Sequence, residues 1–281
     1  DVATVTGDVY SDYGIAIGAN ASLDPAPSGI AIGNGAVIGG GSFGVAIGAR
    51  ASILGAKNAV AIGIEATAGQ LSVSIGEYTK TDEAAVAIGS RAEATGASSI
   101  AIGVSSVASD GGSTAVGRWA NAGAVEATAL GIEANAAGAF SFAAGSYTLA
   151  SGDKSIAIGS NYDDSNSIRT EATGLWSVAV GNAAQATAAD ALALGSSANA
   201  TTDYASASGQ YSIAIGSADA SEENAIAIGN GAKAVGANSS TRGSSVAIGV
   251  NAQATGIHSS AYGSGAVASG YQSSAYGSGA V

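Results

Sequence analysis

Arg91-Ala92-Glu93-Ala94-Thr95-Gly96-Ala97-Ser98-Ser99-Ile100-Ala101-Ile102-Gly103 is one turn of a pattern that runs along almost the whole chain. It contains two short segments, Ala-Glu-Ala and Ile-Ala-Ile, whose residue character alternates with period two, as side chains do along a β-strand. A glycine follows each segment, and glycine lets the backbone reverse within a few residues. Eighteen glycines occupy the place of Gly103, from Gly18 to Gly277. Their spacing centres on 14 residues, and three wider gaps of 22, 21 and 20 mark insertions within 160–173, 196–208 and 230–243. Two short strands and two tight turns per 14 residues make one coil of a β-solenoid; helical repeats are longer and lack this punctuation. The expected fold is all-β, a parallel β-roll of about 18 coils of 14 residues. Coils about 4.8 Å apart would extend it for on the order of 80 Å. The repeat occupies 14–281, and 1–13 is expected to form an N-terminal cap.

The alternation also assigns faces. The residues flanking the central alanine are branched aliphatics, as in Val86/Ile88, Ile156/Ile158 and Val246/Ile248. Nothing else in the repeat is as apolar, so these are expected to fill the coil while the alanine points outward. An outward stripe of alanine with no charge is expected to form a seam between chains. Its members are Ala31, Ala46, Ala61, Ala87, Ala101, Ala115, Ala129, Ala157, Ala179, Ala193, Ala214, Ala227 and Ala247. On the other strand the middle residues are Lys80, Glu93, Asn121, Asn135, Asp163, Gln185, Asn199, Lys233 and Gln253, so that strand is expected to face water. Tyr262 and Tyr276 stand where isoleucine is usual, which reads as a wider core near the C-terminal end.

Composition narrows the function. There are 66 Ala and 43 Gly but no Cys, so thiol chemistry, disulfides and zinc knuckles are excluded. A net charge of −12 with only nine Lys and Arg argues against nucleic acid as a partner. The single histidine, His258, falls in a turn, and the adjacent acids Asp82/Glu83, Asp163/Asp164 and Glu222/Glu223 read as solvated loop residues. Nothing in the pattern builds a catalytic centre, and no cofactor or metal is expected. The chain starts at Asp1, carries no heptad stalk or membrane anchor and stops inside a repeat at Val281, so it reads as a piece of a longer protein.

Insertions in a solenoid become loops on one side, often the binding side. Tyr162, Asp163, Asp164, Arg169, Tyr204 and Arg242 lie in these segments and are the candidate ligand-binding residues. Trp119 and Trp176 are expected to fill a coil end or a groove between subunits.

Ser-Val-Ala-Ile-Gly with Ala-x-Ala-x-Gly at this period resembles the YadA-like head repeat of trimeric autotransporter adhesins, from about residue 14 to residue 281. The resemblance implies a left-handed parallel β-roll, a parallel homotrimer with the Val-Ala-Ile-Gly strands towards the three-fold axis, and a place at the bacterial cell surface. Contact with the outer membrane would run only through a C-terminal anchor that this chain lacks. The implied partners are a second and third copy of the chain and a host matrix protein such as collagen or fibronectin, or another cell surface. No copy reads Asn-Ser-Val-Ala-Ile-Gly, the form associated with collagen; the nearest are Asn58-Ala59-Val60-Ala61-Ile62-Gly63 and Ser244-Ser245-Val246-Ala247-Ile248-Gly249. Two other readings share the architecture: a phage tail-fibre or spike segment, and a monomeric ice-binding solenoid.

Overall fold

The computed structural model describes residues 13–24, 28–40, 43–55, 57–160, 169–195, 204–236 and 243–281. Every regular element among them is a β-strand of two or three residues. The chain divides into two compact units, Asp1–Glu133 and Ala134–Val281. Of the expected cap, 1–12 lies outside the described residues.

In the first unit, nine three-residue strands from Ile15–Ile17 to Thr128–Leu130 stack as one parallel sheet. The intervening strands, Ser22–Asp24 to Asn121–Ala122, stack as a second parallel sheet. The second unit repeats the plan, with one sheet from Phe142–Ala144 to Ser274–Tyr276 and the other from Asn135–Ala136 to Val267–Ala268. Each coil is thus one strand of each sheet joined by two turns, as the repeat foretells. The register is in phase: Ile100, Ala101 and Ile102 lie beside Thr114, Ala115 and Val116. After the first two insertions the described second strand is Glu171–Ala172 and Ser206–Ala207, and the Asp163 and Asn199 positions expected from the repeat lie outside the described residues.

The ladder does not stop at the turns. Ser98 N–H donates to Glu83 O at 2.9 Å and Ser105 N–H to Ser90 O at 2.9 Å, each linking a turn to the turn of the preceding coil. One residue per turn sits in the left-handed region, among them Arg91 at φ 58° and Ser98 at φ 58°. That conformation costs a non-glycine residue roughly 1 kcal/mol, about what one inter-coil hydrogen bond returns. The glycine closing the Ile-Ala-Ile strand is a harder requirement. Gly89 has φ +127°, and a Cβ there would stand 2.6 Å from the carbonyl oxygen of Gly103 in the next coil. Close stacking and that backbone angle both demand glycine.

The interior reverses the expected faces. Ala31, Ala46, Ala61, Ala87, Ala101, Ala115, Ala129, Ala157, Ala179, Ala193, Ala214, Ala227 and Ala247 point into their own coils and are fully buried within the single chain. The flanking valines and isoleucines point outward, so these alanines form no seam. The reason is the width of the bore. A coil of two short strands brings its sheets so close that only small side chains fit between them, whereas sheets separated by large residues stand about 10 Å apart. Each coil fills this space with four small side chains, as in Ser99, Ala101, Ser106 and Ala108 of the first unit and Ser177, Ala179, Ala184 and Ala186 of the second. Where the set departs from Ala and Ser, it compensates. Gly44 takes the place of the first small residue while Ile53 takes that of the fourth, and the Ile53 side chain fills the volume that Gly44 vacates. One coil is wholly hydroxylic: Ser74 donates to Thr79 at 2.8 Å, and Ser72 shares a hydrogen bond with Thr81 at 2.7 Å. Ser72 and Thr79 sit within 2.8 Å and 3.0 Å of the Gly69 and Gly76 carbonyls, to which their hydroxyls are oriented, so this polar layer is paired internally.

Candidate functional site

Because alanine faces inward, the β-branched residues of the Ile-Ala-Ile strands form two exposed columns on the outside of that sheet. In the first unit Ile88, Ile102 and Val116 follow one another in register, and in the second unit Ile158, Val180, Leu194 and Ile215 do the same. Two such positions on each of nine strands give each unit an outward face with no charged residue among the described residues. Ile102 keeps 37% of its surface open and Ile158 40%. Contiguous exposed apolar faces are where proteins commonly meet a partner, a membrane or a ligand. The opposite sheet presents Glu93, Lys233 and Gln253 to solvent, with Val107, Leu149 and Val267 as apolar exceptions. The second strand faces water as the sequence reading expects, and the uncharged stripe of the first strand is made of isoleucine and valine, which stay partly exposed in the single chain.

Tyr262 and Tyr276 belong to the same outer face. Their rings stack with centroids 5.2 Å apart and planes within 5°. Tyr276 is strongly exposed, so the tyrosines extend the face instead of widening the core.

The two tryptophans are also outside. Trp119 and Trp176 occupy left-handed turn positions at φ 59° and 57° and are half exposed. The Arg118 guanidinium lies 4.1 Å from the Trp119 ring centroid, and the Lys154 ammonium 5.2 Å from that of Trp176. Neither fills a coil end.

Of the candidate loop residues, Tyr162, Asp163, Asp164 and Arg242 lie outside the described residues. Arg169 is engaged within the chain, its Nε donating to Glu171 Oε1 at 2.7 Å. Tyr204 is partly buried two coils further along the same column, because Glu171 pairs with Gln185 and Gln185 with Ser206.

Two acids stand out: Glu222, which the sequence reading took as a solvated loop residue and the structure buries, and Asp219, for which the sequence carried no expectation. Glu222 stands where Gly209 stands one coil earlier, yet it is buried, and Ser245 Oγ donates to its Oε2 at 2.5 Å. Its side chain occupies the space beside Gly236 and Gly243, the glycines on either side of the third insertion. Asp219 faces outward next to Lys233 on the adjacent strand. Burial pushes its carboxyl above the ordinary aspartate value, and the Lys233 charge partly offsets that rise. Among the described residues no three His, Asp or Glu side chains gather as metal ligands do.

A known family matches the chain. The YadA head domain repeat (2 copies) matches residues 83–103, 94–118, 122–148, 143–161, 172–198, 186–207, 203–218, 220–240 and 243–266, more than half of the chain. No curated protein matches.

Proposed function

Because the chain belongs to the YadA head domain repeat family, we propose that it is the head of a bacterial cell-surface adhesin, a binding protein and not an enzyme, assembled from three chains. The observation that carries the assembly is the uncharged outer face of the Ile-Ala-Ile sheets. An isoleucine about one-third exposed has on the order of 1 kcal/mol still to gain from full burial. Association costs roughly 4–15 kcal/mol. Columns that run through nine strands in each unit exceed that cost even if only half of the residues are covered. The seam therefore consists of residues such as Ile88, Ile102, Ile158 and Ile248 in place of the alanines.

Three chains joined along this face would turn their polar sheets and turn edges outward. Contacts that are weak singly would then add by avidity against a host matrix protein such as collagen or fibronectin, or another cell. The acidic balance of the chain makes attachment to anionic surfaces improve as salt is added.

Light scattering tests the assembly. The expected native mass is three times 26.4 kDa. Ile102→Glu with Ile158→Glu should give a folded monomer with an unchanged circular dichroism spectrum. A wild-type chain that stays monomeric at micromolar concentration overturns the seam.

A further inference from the structure

We propose that one turn edge of the second unit binds a neutral β-1,4-linked glucan chain, laid along Phe140, Trp176 and Tyr211. This deepens the adhesin reading by naming a class of ligand, and it rests on that reading.

The three aromatic residues hold equivalent positions. Each is the left-handed residue of the turn that precedes an Ile-Ala-Ile-type strand, at φ 58°, 57° and 57°. The strands that follow are consecutive in the ladder with two others between: Phe142 pairs with Ile156, Ile156 with Val178, Val178 with Leu192, and Leu192 with Ile213. The turn residues therefore stack as Phe140, Lys154, Trp176, Asp190, Tyr211 and Asn224, a ring on every second coil and a polar side chain between. Inter-coil hydrogen bonds fix the column: Lys154 N–H donates to Ala139 O at 2.7 Å, Trp176 to Asp153 at 3.0 Å, Asp190 to Leu175 at 2.8 Å and Tyr211 to Ala189 at 3.0 Å. Phe140, Trp176 and Tyr211 are 50%, 50% and 51% exposed, and Trp176 is approached by the Lys154 ammonium at 5.2 Å, so burial within the chain does not account for three aromatic residues here.

The spacing is what selects the ligand. Two coils advance about 9.6 Å. In a β-1,4-linked pyranose ribbon successive sugars are flipped, so the same C–H-rich face recurs once per disaccharide, a repeat of the same order. Those faces pack on aromatic rings. The interleaved Lys154, Asp190 and Asn224 supply donors and acceptors for the sugar hydroxyls. Lys154 and Asp190 cancel in charge along the column, and the chain carries a net −12, so an uncharged polymer fits better than a polyanion.

The test uses Trp119→Phe, which leaves Trp176 as the sole tryptophan. Its emission is followed on titration with cellobiose, cellotetraose and cellohexaose. The expected result is a shift in emission and an affinity that rises about tenfold for each further ring spanned. Phe140→Ala and Tyr211→Ala should each lower cellohexaose affinity by about tenfold with native mass unchanged. The proposal is overturned if cellohexaose at millimolar concentration leaves Trp176 emission unchanged, if maltohexaose binds equally well, if an anionic polymer or a peptide is bound in its place, or if the alanine variants bind as wild type. The combined variant F140A/W176A/Y211A separates the two readings. If it stays oligomeric and attaches to cells as wild type does, the glucan site is wrong and the adhesin stands. A wild-type chain that binds cellohexaose but attaches to no cell or matrix protein supports the site and removes the adhesin.

Discussion

The Cδ1 atom of Ile53 lies 3.1 Å from the point where a side chain on Gly44 would begin. The two residues share one coil, as Gly29 and Ile38 share the preceding one, and divide between them a volume that most other coils split as serine or alanine on one side and alanine on the other. Ile53→Ala should leave a cavity and cost about 2–4 kcal/mol. Adding Gly44→Ala to that variant should recover at least half of the loss, because the pair then matches the common alanine layer. Gly44→Ala alone should destabilise, since Ile53 must move. Thermal melting of the three variants gives the coupling directly, and additive effects would mean that the two side chains do not share the space.

Ala101 and Ile102 are neighbours with opposite roles. Ala101→Glu places a carboxylate in a coil already filled by Ser99, Ser106 and Ala108, and an unpaired buried charge costs several kcal/mol. The expected outcome is local unfolding, seen as loss of hydrogen-exchange protection in the coils on either side. Ile102→Glu keeps its charge outside, so protection should persist while self-association weakens. The reverse pattern would restore alanine to the seam.

This pair also marks the limit of what the sequence could convey. The coil, its period and the parallel in-phase ladder were legible because Gly103 and its counterparts punctuate a strict alternation. Alternation separates Ile100 and Ile102 from Ala101 but does not say which set faces inward. The rule that the most apolar residues form the core fails here because the bore takes an isoleucine only where a glycine faces it, as Ile53 faces Gly44, and elsewhere holds Ala and Ser. The information was nevertheless present: Ser99, Ala101, Ser106 and Ala108 are small on both strands, and only residues that face each other need to be small together. The aromatic column was hidden for a different reason. Phe140, Trp176 and Tyr211 are 36 and 35 residues apart in the chain, and the insertions mask their even spacing of two coils. Glu222 carried no signal because its burial depends on where Gly236 and Gly243 leave room.

Asp219 gives the chain a pH dependence whose sign follows from its burial. Its folded-state pKa is raised above the ordinary value of 3.8 by burial. The folded chain therefore holds the proton more tightly than the unfolded chain. The stabilisation this provides is complete below 3.8 and is lost as pH rises through the folded-state value. Asp219→Asn should flatten that part of the stability profile and leave the rest unchanged. Lys233→Ala, which removes the charge that lowers the pKa, should move the same step to higher pH. Melting temperatures from pH 3 to 7 for the three proteins test both statements, and a Lys233→Ala step at lower pH would contradict the assignment.

Two glycines in turns should respond very differently to substitution. Gly265 has φ +66° and no atom within 4 Å of where a Cβ would sit. Its turn position is filled elsewhere by Arg91, Trp119 and Glu133 at φ 58°, 59° and 54°, so this backbone accepts side chains. Gly265→Asn should change stability by less than about 1 kcal/mol, because asparagine tolerates the left-handed region and restricts the unfolded chain. Gly103 has φ +136°, which is far from that region, and a Cβ there would collide with the Gly117 carbonyl of the next coil. Neither strain can relax alone: rotating φ breaks the hydrogen bond from Gly103 N–H to Ile88 O at 2.8 Å, and separating the coils breaks the ladder. Gly103→Ala should therefore cost at least about 3 kcal/mol. Urea melting of both variants decides the matter, and equal effects would show that turn flexibility, not coil spacing, is what the repeated glycine protects.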